Sequence, residues 1–177
     1  MFGSTYMTDA IGLLKDDHRY VEELFERFSD ADEQARKLEL AQEICQALLL
    51  HAHVEETLFY PALRRAGLDA DLLDEAEVEH ASLRALIDDI DGARADADLF
   101  EARVKVLGEY VRHHVEEEES EMMPMARSSG VDLDVLGEEI LALKTRLESR
   151  IDELAHVPGE GGRVEVLRID GRGVRHP

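Results

Sequence analysis

A chain of 177 residues, 44% hydrophobic and 34% charged, is long enough for one domain with a proper core and too apolar to remain disordered. Its formal net charge of −21 excludes nucleic acid and anionic membrane surfaces as expected partners, because both would be repelled. The single Cys45 excludes an internal disulfide and cysteine-rich metal motifs.

An N-terminal extension, 1–8, lacks the basic and apolar regions of a secretory leader, and no apolar run reaches membrane-spanning length, so a cytoplasmic location is expected. Few prolines and many Ala, Leu, Glu and Arg favour helix. Thr8 is a suitable N-cap for a first helix that ends near Ser29. A second helix runs from about Asp32 to Ala66 and is closed by Gly67. The third spans about Asp69 to Asp91, with Gly92 as its stop signal, and the fourth about Asp96 to Arg127, broken by Ser128, Ser129 and Gly130. A fifth helix, within 131–156, carries Ile140, Leu143, Leu147, Ile151 and Leu154 on one face, an apolar stripe that must cover the bundle or pair with another subunit. Covering is the reading adopted, which gives a monomer or weak dimer. The tail, 157–177, is rich in Gly and Arg; Val164, Val166 and Ile169 before Asp170 and Gly171 suit either a small hairpin or a flexible appendage.

Within 9–127 the chain repeats itself. His18 is followed by Val21, Leu24, Phe25 and Phe28, and His80 by Leu83, Leu86, Ile87 and Ile90. His51, Glu55 and Pro61 recur at the same offsets as His114, Glu118 and Pro124. A two-helix hairpin is thus written twice. Short connections favour antiparallel neighbours, so the expected fold is an all-α, up-down-up-down four-helix bundle with an additional C-terminal helix.

Each helix carries an apolar seam at heptad-like spacing. The first is Ile11, Leu14, His18, Val21, Phe25 and Phe28; the second Ile44, Leu48, His51, Glu55, Leu58 and Ala62. The third is Leu73, Ala76, His80, Leu83, Ile87 and Ile90; the fourth Phe100, Val104, Leu107, Val111, His114, Glu118 and Met125. The polar intrusions are four histidines and two glutamates, all on faces that must meet other helices. A buried, unpaired carboxylate costs several kcal/mol by loss of hydration. Two carboxylates and four imidazoles at one level would repel or neutralise through shifted pKa values. Cations at the centre remove that penalty, so His18, His51, Glu55, His80, His114 and Glu118 are the candidate metal ligands. The His-x-x-x-Glu spacing puts each pair on one helix face, one turn apart.

Other residues of the same types are set apart by position. His53 lies about 200° around its helix from His51, so it belongs to another face. His113 with Glu117 has the same spacing as His114 with Glu118, and the seam and the matched offset to proline favour the latter. Glu56, Glu116, Glu117 and Glu119 read as an acidic exterior, with Glu56 able to approach the site. His156 and His176 fall outside the pattern. Pro61 and Pro124 each delete a backbone hydrogen bond and should bend or finish their helices.

These residues are similar to the hemerythrin-like, or HHE cation-binding, family. The resemblance runs from about Asp9 to Arg127 and is carried by Leu14 to His18, His51 to Glu56 with Phe59 to Pro61, Glu79 and His80, and His113 to Glu118 with Pro124. It implies a four-helix bundle with two iron ions in an oxo- or hydroxo-bridged di-iron centre, ligated by the six residues above. Oxygen-carrying hemerythrins have a further histidine four residues after the one in the third helix; here that position is Arg84, which speaks against reversible oxygen transport.

Ligand chemistry alone admits iron, manganese or zinc, and the resemblance favours iron. The expected function is binding of, or response to, a small diatomic or peroxide ligand (oxygen, nitric oxide or peroxide) or to iron status. The alternatives are a catalase-like or peroxidase-like di-iron enzyme and a bundle with a purely structural metal.

Overall fold

The computed structural model describes residues 9–91 and 97–155, with side chains given for 9–90 and 97–149. The extension 1–8 with Thr8, the Gly92 stop signal, Asp96, His156, the tail 157–177 and the side chains of Ile151 and Leu154 lie outside the described residues. Helix α1 is Ala10–Asp30. Helix α2 covers 34–65 in three continuous pieces, Gln34–Val54, the wider π turn Glu55–Phe59, and Tyr60–Arg65. Helix α3 is Ala70–Asp91. Helix α4 covers 100–128 as Phe100–Glu117, a second π turn Glu118–Met122, and Met123–Ser128. Helix α5 is Leu133–Ala155.

Several boundaries differ from expectation for local reasons. Asp9 is the N-cap of α1, and its carboxylate accepts from the Gly12 N–H at 2.8 Å. Helix α4 starts at Phe100 because Leu99 before it adopts a left-handed conformation, φ 69°. Gly67 and Gly130, both at φ 81°, end α2 and α4 as the sequence predicts. After Gly67 the Leu68 N–H returns to the Leu63 carbonyl at 3.1 Å, which closes the helix end.

Helices α1 to α4 form the up-down-up-down bundle, with α1 against α2, α2 against α3 and α3 against α4. Helix α5 covers the α1–α2 side. It buries Leu136, Ile140 and Leu147, and Lys144 pairs with Asp17 on α1. Among the described residues no helix is long and apolar enough to cross a membrane.

The apolar interior is divided in two. One cluster holds Ile11, Leu14, Phe59, Tyr60, Leu63, Leu73 and Met122 together with Ile140 of α5. The other holds Val21, Leu24, Ile44, Leu48, Ile87, Phe100, Leu107 and Val111. Between them lies a polar layer, whose depth the two close-packed hydrophobic plugs hold fixed.

The π turns revise the expected seams. A π turn accommodates one more residue than an α turn, so residues beyond it face a different way. Phe59, Tyr60 and Leu63 are buried where Leu58 was expected to be central, and Leu58 is only half-buried. Met122, Met123 and Ala126 are buried in place of Met125, which is exposed.

Leu99 and Gly67 share the left-handed conformation, and Leu99 is exposed while a Cβ on Gly67 would meet nothing within 4 Å. Backbone strain is then the main term at both sites. Leu99→Gly should raise the thermal midpoint by about 2 °C and Gly67→Ala lower it by a similar amount, roughly 0.5–1 kcal/mol each, read by calorimetry.

Candidate metal centre

Among the described residues the buried polar or charged side chains are His18, His51, Glu55, His80, His114 and Glu118, the six singled out from the sequence. Each of the four bundle helices delivers one histidine, and the two glutamates follow one turn later on α2 and α4. Each glutamate is the first residue of its π turn.

The donors form two groups. His18, His51, Glu55 and Glu118 bring ligand atoms within 4.8 Å of one another, and so do Glu55, His80 and His114. Glu55 belongs to both. Its Oε1 is 3.1 Å from His51 Nε2 and its Oε2 is 3.4 Å from His80 Nε2. Glu118 sends Oε2 inward, 3.3 Å from His18 Nε2 and 3.6 Å from His114 Nε2. Four donors against three makes the centre asymmetric.

Across each group the imidazoles meet nitrogen to nitrogen. His18 Nε2 is 3.2 Å from His51 Nε2, and His80 Nε2 is 3.0 Å from His114 Nε2. Two nitrogens each bound to one ion at about 2.1 Å would stand about 3.0 Å apart at a right angle and about 3.4 Å at a tetrahedral one. The observed spacings fall in that interval. Glu55 Oε1 and Glu118 Oε2 are buried without a hydrogen-bond partner, which is costly for carboxylate oxygens unless a cation serves them. The donor set therefore fits metal.

The rings are aimed by carboxylates behind them. His51 Nδ1 meets Asp17 at 3.3 Å, His80 Nδ1 meets Glu56 at 2.9 Å, His114 Nδ1 meets Glu79 at 2.8 Å, and His18 Nδ1 meets Glu119 at 2.9 Å. The circuit closes: α1 holds the α2 histidine, α2 that of α3, α3 that of α4, and α4 that of α1. With each Nδ1–H donating outward, an Nε2 lone pair faces inward. This corrects the reading of Glu119 as acidic exterior, bears out the approach of Glu56 to the site, and adds Asp17 and Glu79, to which the sequence assigned no role. Their signal was adjacency, since Asp17 and Glu79 directly precede a site histidine and Glu56 and Glu119 directly follow a site glutamate.

Basic side chains steady three of these carboxylates. Lys144 pairs with Asp17, Arg84 with Glu56 at 2.7 Å, and Lys15 with Glu119 at 2.8 Å. Arg84, at the position of the absent histidine, thus points its guanidinium outward to Glu56. Against burial, which opposes its charge, hydrogen bonds and charge from His80 and Arg84 hold Glu56 down at about 2.

Tyr60 is the functional residue that helical periodicity concealed. It stands five residues after Glu55, about 140° away on a straight α-helix. The π turn, closed by the Tyr60 N–H on the Glu55 carbonyl, brings it inward. Its hydroxyl donates to Glu118 Oε1 at 2.8 Å and lies 3.4 Å from Glu55 Oε2 and 3.5 Å from His80 Nε2. Burial and the charges of Glu55 and Glu118 push the phenol well above its usual value, so it is a fixed donor. The sequence clue is Pro61. It lacks the N–H that an uninterrupted α-helix needs, so the register change falls beside it. Pro61 and Pro124 therefore follow π turns within helices that continue to Arg65 and Ser128, so they do not finish them at once.

The electrostatics favour positive charge at His51 and His114. Burial opposes protonation of His51, yet Glu55, Asp17 and Glu118 push it up to about 10. His114 is likewise raised against burial, chiefly by Glu118 and Glu79. Glu118 is held well below the carboxylate range, against burial, by His114, His18 and His51. Two charged rings 3.0–3.2 Å apart would repel; a metal ion with neutral rings satisfies the same carboxylates without that repulsion. His53 stays outside the constellation, and His113 is exposed, so the His114 and Glu118 pair is the one the bundle turns inward.

Beside the histidines lies a cavity of about 20 Å³, lined by their rings, by Val21, Leu48, Leu83, Ile87 and Val111, and at its side by Arg84. Asp17 also contributes to its lining, its exposed wall is mainly apolar, and the cavity is close to the volume that one water needs, about 10–15 Å³.

A hemerythrin HHE cation binding domain matches residues 9–126. A DNA nickase of Nostoc sp. (strain PCC 7120 / SAG 25.82 / UTEX 2576) is 26% identical over 141 residues, which is 78% of this chain and 40% of the nickase, so the chain spans two-fifths of that relative. A crystal structure of a hemerythrin HHE cation binding domain-containing protein from Mycobacterium kansasii superposes with a TM-score of 0.71 at 23% identity, over 86% of this chain and 94% of that one, and shows the shared fold. Two donor groups around a shared glutamate, on a four-helix bundle matched over most of its length, place the chain in the hemerythrin HHE cation-binding family.

Proposed function

We propose that the protein holds two iron ions on His18, His51, Glu55, His80, His114 and Glu118 and binds, or responds to, a small diatomic or peroxide ligand or iron status. The observation that carries this reading is the pair of donor groups sharing Glu55 beside an apolar cavity of about 20 Å³. Such a cavity suits oxygen, nitric oxide or peroxide and excludes larger substrates. Iron is favoured among the metals that imidazole and carboxylate accept by membership of the family. When bound, two adjacent irons supply one-electron changes that zinc lacks.

The chain's own residues supply the rest. The four outer carboxylates hold each imidazole in one tautomer and orientation, and the apolar plugs on either side keep bulk water from the layer. Tyr60 holds a proton on its hydroxyl, 2.8 Å from Glu118. That phenol favours a second reading, catalase-like or peroxidase-like turnover, because peroxide chemistry needs a proton source beside the metal. The net charge of −21 argues against a nucleic-acid role for this chain despite its nickase relative.

Metal analysis of iron-loaded protein should find two irons per chain. Glu55→Ala should lose at least one of them while retaining its helical circular dichroism; wild-type protein that keeps no transition metal after loading sinks the reading. Asp17→Asn should weaken iron retention by roughly 10–100-fold in chelator competition, because the His51 ring loses its charged partner. Tyr60→Phe should keep both irons yet slow oxygen release from added peroxide by roughly 100-fold if turnover occurs; equal rates would remove the enzymatic reading.

A further inference from the structure

The histidine left over from the sequence, His113, has its own partners. It projects from α4 to solvent, with Nε2 3.4 Å from Glu117 Oε1 one turn later and 3.9 Å from Glu79 Oε1 on α3. The three ligand atoms lie within 4.8 Å of one another. Both separations are longer than a good hydrogen bond, so the groups are gathered without being satisfied by each other. A neutral imidazole and two carboxylates from two packed helices can supply three donors to one divalent ion, whose charge would cancel theirs.

We propose that Glu79, His113 and Glu117 form a second, solvent-facing site for a divalent transition metal ion, separate from the buried centre. The internal repeat shows why only one half carries it. The positions matching His113 and Glu117 in the first half are Leu50 and Val54, and Val54 is fully buried. That side of the bundle packs against α5, whereas on the α3–α4 side His113 is exposed among the described residues. An acidic exterior of this strength also concentrates cations at the surface.

Glu79 ties the two sites together. Its Oε2 accepts from His114 Nδ1 at 2.8 Å while Oε1 faces His113, so one carboxylate orients a buried ring and offers its second oxygen to the outer ion. Bond formation at the outer site requires only rotation of His113 and Glu117, which stand at or near the surface. The ring of His114 can keep its partner throughout.

The test is a Zn²⁺ titration of the iron-loaded, full-length protein by calorimetry, with iron content measured in the same samples. One Zn²⁺ should bind per chain beyond the retained iron. His113→Ala and Glu117→Gln should each weaken it by roughly tenfold or more, since losing a direct ligand costs at least as much as losing an outer partner. The quantity read is the difference between wild type and these surface variants, so it does not depend on what the buried centre holds. Absence of Zn²⁺ beyond that centre, or equal binding by both variants, overturns the proposal.

Discussion

Everything in this molecule is arranged around the cost of carrying two carboxylates and four imidazoles into the middle of a helical bundle. Glu55 and Glu118 are 0% and 1% exposed, and each has an oxygen that no protein hydrogen bond reaches. In an apolar interior such groups are tolerable only with a compensating positive charge. The two apolar clusters fix the depth of the layer, the helices fix its width, and a cation supplies what the side chains lack. Remove the charge balance and the same residues become a source of strain at the centre of the core.

Aiming the donors requires a further layer of chemistry. Four carboxylates, Asp17, Glu56, Glu79 and Glu119, each grip the ring of a neighbouring helix, so the histidine positions are locked by a closed circuit around the bundle. Because every contact crosses between helices, the circuit also sets helix register. Lys15, Arg84 and Lys144 keep three of those carboxylates charged and in place. The acidic surface is thus partly a working component of the buried site.

The two halves of the repeat share geometry but differ in chemistry. Tyr60 reaches Glu118 from the first half, whereas its counterpart Met123 adds only apolar bulk. Arg84 in the second half secures Glu56, while its counterpart is Glu22. Helix α5 shields one side and leaves the other to Glu79, His113 and Glu117. The repeat places matching histidines and glutamates in both halves, and these differences make the two ends of the site unequal.

Heptad-like spacing with cap and stop residues was enough to show the five helices and the six inward polar residues, and short connections to show the bundle, because burial imposes a period that single residues cannot evade. The repeat could be read for the same reason. Tyr60, Met123 and the displaced seams beyond Glu55 and Glu118 could not, since a π turn breaks the constant angular step on which such reading depends. The roles of Asp17, Glu79 and Glu119 were also hidden, and of Glu56 only its approach to the site could be read, because each acts on a histidine of another helix and periodicity within one helix carries no record of its neighbours. Local pattern determined which residues turn inward; only the packing of one helix against the next decided which carboxylate meets which ring.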